Sequence, residues 1–139
     1  MSYQRQFETG ADSFATNDES NGYRYAITLP KLSDTGYWRI DRFYVMAMTD
    51  YDAANTNYET FSLYNSDGNA IASVANGPAT GGIDIGPKSS GVDTTMTDAY
   101  RYISCMGDDS EIYVKPASTG AGRSMVGVRF VVIATPIRG

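Results

Sequence analysis

Apolar and polar positions along the chain alternate in short runs, cut apart by Gly, Pro, Asn and Asp. The cleanest run is 23–29: Tyr23, Tyr25, Ile27 and Leu29 fall on one side, Arg24, Ala26 and Thr28 on the other. A period of two is what a half-buried strand produces. Pro30 closes the run by removing a ladder donor. Further strand-like runs fall at 37–49, 59–64, 70–74, 83–85, 99–105, 111–115 and 125–135. Asn65-Ser66-Asp67-Gly68-Asn69 signals a hairpin, because Asp-Gly accepts the positive φ that tight turns require. No stretch keeps a 3.6-residue period, and no internal repeat is visible. The chain is predicted to be all-β, an antiparallel β-sandwich. An eight-stranded jelly roll is the favoured topology, with an immunoglobulin-like sandwich second.

Residues 1–21 precede these runs and are polar, with isolated Tyr3, Phe7 and Phe14. Tyr3, Arg5 and Phe7 alternate with Gln4, Gln6 and Glu8, enough for one short strand. The segment is read as an extended N-terminal arm, 1–21, ahead of a sandwich domain, 22–139. A free tail and an arm ordered against a partner subunit both remain open. Tyr3, Arg5, Phe7 and Phe14 are its candidate partner contacts.

Two runs look apolar on both faces, which antiparallel sandwich strands normally are not. Strict alternation through 37–49 sets Trp38, Ile40, Tyr44, Met46 and Met48 against Phe43, Val45 and Ala47. In the last run Val126, Val128, Phe130, Val132 and Ala134 oppose Met125, Arg129, Val131 and Ile133. Leaving Val131, Ile133 or Met46 in water forfeits roughly 1.5–3 kcal/mol each. The N-terminal arm, a long loop of the chain or another protein could cover that face; the expectation is a second subunit, with Met46, Met48, Val131 and Ile133 at the interface and a cyclic trimer as the natural arrangement.

Composition then narrows the chemistry. The 139 residues suit one domain with an adequate core. There is no histidine, which removes the commonest general base, the usual triads and the commonest zinc ligand. The single cysteine, Cys105, sits among strand residues and reads as a small buried hydrophobe. Eleven basic residues face sixteen acidic ones, for a formal charge of −5, and no basic run is present. A nucleic-acid partner is not expected. No apolar window reaches membrane-spanning length, and no signal peptide is apparent in the first residues, so synthesis in a cytoplasm is expected. Asp108, Asp109 and Glu111 read as turn acids that cap backbone amides. The 50–57 segment fails the EF-hand pattern, since Ala54, Asn55 and Phe61 occupy positions for a ligand, the glycine and the bidentate Glu. The glycine-rich 77–82 segment lacks the Gly-Lys-Ser/Thr of a phosphate cradle. No enzyme, metal or cofactor is expected. The eleven tyrosines and Trp38 suit strands and interfaces, and also allow stacking on sugar rings.

The Asn65–Asn69 hairpin, the Gly-Asp-Asp-Ser-Glu-Ile-Tyr-Val segment at 107–114 and the closing Gly-Val-Arg-Phe-Val-Val-Ile-Ala strand at 127–134 resemble, in order and spacing, the decoration (cement) proteins of tailed-phage heads. The resemblance covers roughly residues 59–135. It implies a non-enzymatic virion structural protein on the capsid surface, often a trimer, that binds the major capsid protein in many copies and whose arm contacts the capsid or a neighbouring copy. The alternative is a carbohydrate- or receptor-binding module of a tail or head fibre, using exposed Trp38 or tyrosines.

Overall fold

A computed structural model describes residues 4–14, 25–32, 36–46, 58–75, 97–119 and 125–138. They hold eight strands: β1 (Arg5–Phe14), β2 (Tyr25–Leu29), β3 (Gly36–Met46), β4 (Tyr58–Tyr64), β5 (Ala70–Ala75), β6 (Tyr102–Ser104), β7 (Ser110–Thr119) and β8 (Met125–Arg138). Two four-stranded sheets result, in the orders β1-β8-β3-β6 and β2-β7-β4-β5. First pairs with last, second with seventh, third with sixth and fourth with fifth, all antiparallel. Such nested pairing is one long hairpin rolled over onto itself. Rolling adds the β3–β8 and β4–β7 ladders, and the outcome is the expected jelly roll.

The eight strands are not the eight expected runs. The run at 83–85 lies outside the described residues, and β1 takes a place that sequence alone assigned to an arm. From Arg5 to Phe14 the chain ladders along β8, Arg5 opposite Ala134 and Phe14 opposite Met125. Over these residues the arm is an edge strand of its own sandwich. Among its described side chains Phe7 is the large inward one, and it meets Trp38 edge-on at 5.2 Å. Small Ala134, on the intervening strand, leaves room for that contact.

Inner faces follow the alternation. Ile27 and Leu29 of β2, Ile112 and Val114 of β7, Phe61 and Leu63 of β4 and Ile71 of β5 are buried against Trp38, Ile40, Phe43, Val45, Phe130 and Val132. Phe130 bridges the layers, with Phe61 at 5.2 Å and Tyr25 at 5.0 Å. The hairpin forms as expected. Asn65 accepts the Asp67 and Asn69 N–H groups on its side-chain oxygen, at 3.1 and 2.9 Å. Gly68 adopts φ +86°, where a Cβ is strained.

One expectation fails for a local reason. The β3–β8 register slips between Ile40 and Arg42, leaving Asp41 as the extra residue of a bulge. The slip reverses the alternation halfway along β3, so Trp38 and Ile40 share the buried inner face with Phe43 and Val45. β3 is therefore not apolar on both faces: Tyr37, Arg39, Arg42 and Tyr44 are the half-exposed residues of its outer side.

Candidate interaction surface

The bulge determines what the outer face of the first sheet looks like. Asp41, excluded from the ladder, becomes the hub of a polar cluster. The Arg39 Nε–H donates to its Oδ1 at 2.6 Å, and Arg101 Nη2 lies 3.5 Å from the same oxygen. Thr135 Oγ1 and Gln4 Nε2 donate to Oδ2, the latter at 3.2 Å. Arg101 also donates through Nε to the Ile40 carbonyl and through Nη1 to Asp98. Gln4 adjoins β1, Thr135 is on β8, Arg39 and Asp41 are on β3, and Arg101 adjoins β6. One carboxylate thus reaches a residue on or next to every strand of the sheet.

The Asp41 side chain keeps only 10% of its surface exposed. Burial by itself raises its pKa, but hydrogen bonds from Thr135, Arg39 and Gln4, and the Arg39 charge, outweigh burial and hold it below the usual carboxylate range. The guanidinium of Arg39 is correspondingly pushed up by its hydrogen bond to Asp41. A carboxylate spent on four donors is a structural tie.

The residues expected at a subunit interface fare differently from one another. Val131, opposite Tyr44 of β3 and Glu8 of β1, is fully buried within the monomer, at 0% exposure. It lies outside the core cluster, on the outer side of its sheet. A second subunit gains nothing by burying it. Ile133, opposite Gln6 and Arg42, is half-buried. The backbone of Met46 pairs with Arg129; its side chain, and all of Met48, lie outside the described residues.

Of the expected partner contacts, Arg5 is exposed, its guanidinium 5.7 Å from the Phe7 ring centre, while Phe7 is engaged with Trp38. Phe14 is described in its backbone pairing alone, and Tyr3 lies outside the described residues. Trp38 is 1% exposed and its indole N–H donates to the Pro30 carbonyl at 2.9 Å. It cannot serve as a sugar platform. The half-exposed aromatic pair is instead Tyr64 and Tyr113 on the outer face of the second sheet, stacked at 5.5 Å with the Lys115 ammonium over Tyr64.

The remaining chemistry is structural. Asp109 Oδ1 accepts the Lys31 N–H at 2.8 Å, the amide-capping role expected of a turn acid. Cys105 is buried, and burial pushes its thiol pKa up. The segments at 50–57 and 77–82 lie outside the described residues. Among the described residues no group of three or more His, Cys, Asp or Glu is placed to hold a metal, and no helix is long and apolar enough to cross a membrane. Sequence reasoning missed the Asp41 cluster, whose members stand up to 94 positions from Asp41. The available signal was an acid between Arg39 and Arg42 in an otherwise apolar strand.

No family model matches the chain, and no curated protein matches it. Among solved structures it is similar to a chain of infectious bursal disease virus, Gx strain, at 12% identity and a TM-score of 0.40. That alignment covers 99% of this chain and 32% of the other, so this chain spans about a third of its neighbour.

Proposed function

We propose that this chain is a non-enzymatic structural protein of a virion, which decorates and stabilises a phage capsid by binding capsid subunits in many copies. The observation that supports this reading best is the complete nested jelly roll, together with the order of segments that resembles phage decoration proteins. Its best-partnered carboxylate, Asp41, ties strands together and is not aimed at a ligand. Multivalent placement on a shell lets each contact be weak while the assembly gains much.

The N-terminal strand stays the proposed capsid contact, through exposed Arg5 and the residues preceding it, and self-association accompanies it. Because β1 ladders along β8 and packs Phe7 on Trp38, deleting 1–21 damages the sandwich itself. Arg5→Glu is the cleaner probe. The test is quantitative mass spectrometry of purified particles. A copy number matched to capsid symmetry, reduced by Arg5→Glu in a folded protein, supports the reading. Absence of the chain from particles overturns it.

A further inference from the structure

The four sheet edges are not equally protected, and an unprotected edge is a template for another strand. β1 carries exposed, charged Arg5 and Glu8. On β5 the Ile71 carbonyl is already taken by the Thr97 N–H at 2.8 Å. β2 is followed at once by Pro30 and runs beside β1 at the flank. β6, the far edge of the first sheet, is only three residues long but carries no charge, no proline and no capped carbonyl of its own among the described residues: Tyr102, Ile103 and Ser104.

Its hydrogen-bonding pattern leaves the outer side open. The Ile40 N–H donates to the Arg101 carbonyl at 2.9 Å, and the Cys105 N–H to the Gly36 carbonyl at 3.1 Å. Antiparallel ladders alternate, so residues 101, 103 and 105 face β3 while the amides of Tyr102 and Ser104 point off the sheet. Around them stand the large exposed apolar residues of the described surface, Tyr100 at 38%, Tyr102 at 51% and Met106 at 45%.

We propose that β6 pairs antiparallel with β6 of a second copy about a two-fold axis at Ile103, joining the two first sheets into one eight-stranded sheet. The edge is self-complementary in that register. Tyr102 stands opposite Ser104 of the second copy and exchanges both backbone bonds with it, and the axis repeats the exchange. Isologous two-fold contacts need such matching. Tyr100, in the turn before β6, and Met106, just after it, are exposed beside the same edge. The pairing does not depend on the virion reading.

The experiment is sedimentation equilibrium on the full chain up to about 1 mM, a range that captures weak dimers. Ser104→Pro removes a donor that points off the sheet, a position where an edge strand tolerates proline. The wild type is expected to form dimers, and the variant to dissociate them roughly 30-fold more readily, from two lost hydrogen bonds per dimer. Circular dichroism checks its fold. Tyr102→Lys, at a half-exposed side chain, gives the same loss if Ser104→Pro fails to fold. A monomer throughout, another stoichiometry, or a dimer indifferent to both variants overturns the proposal.

Discussion

On the outside of the first sheet, two guanidinium groups, a hydroxyl and an amide converge on Asp41. On the outside of the second sheet, Ser62 and Ser73 share one hydrogen bond at 2.8 Å, and Tyr64 stacks on Tyr113. The inner faces explain the difference. Every strand of the second sheet brings fully or nearly buried apolar side chains to the core, so each strand is anchored by burial. In the first sheet the two edge strands are poor in such groups, with Phe7 the one large inward side chain described on β1 and Ile103 the core residue of β6. Strands that bury little need another attachment, and the Asp41 cluster supplies it at both edges.

That contrast can be broken by mutation. Asp41→Asn removes the charge that two guanidinium groups face in a largely buried site, and is expected to cost about 2–3 kcal/mol in urea unfolding. Phe7→Ala, which strips β1 of its contact with Trp38, is expected to cost about 2 kcal/mol. Hydrogen exchange should then rise first in β1 and β8, with the second sheet little changed. Tyr64→Ala on the opposite face loses one stacked pair and is expected to cost about 1 kcal/mol or less. A Tyr64→Ala effect as large as that of Asp41→Asn would erase the distinction between the two faces.

Some of this was legible in the chain and some was not. The alternation through Ile27 and Leu29, and the Asn65 turn, depend on neighbours in sequence, so sequence displayed them. The bulge at Asp41 is a one-residue slip against β8, and its one local mark, an acid between Arg39 and Arg42, does not by itself distinguish a bulge from a regular strand. Strict alternation therefore placed Phe43 and Val45 on the wrong side and created an apolar flank that β3 does not have. The alternation at 3–8 showed a short strand but not its extent to Phe14 or its place in the sandwich, because its residues are mostly polar and its partner is the distant β8. The expected run at 111–115 also falls short, since β7 continues through Pro116, opposite Phe61, beyond the described β2 pairing that ends at Val114. The Asp41 hub joins residues from four strands that only the nested topology brings together.

The most direct test of the account is the pH dependence of stability for wild type and Asp41→Asn side by side. A carboxylate whose pKa is lowered on folding stabilises the native state above its unfolded value, about 3.9, and loses that contribution as pH falls through the lower native value. The wild type should lead by its full margin at pH 7. That margin should shrink steadily below about pH 4. A lead that persists undiminished into strong acid, or no lead at neutral pH, would contradict the claim that the Asp41 carboxylate ties the first sheet together.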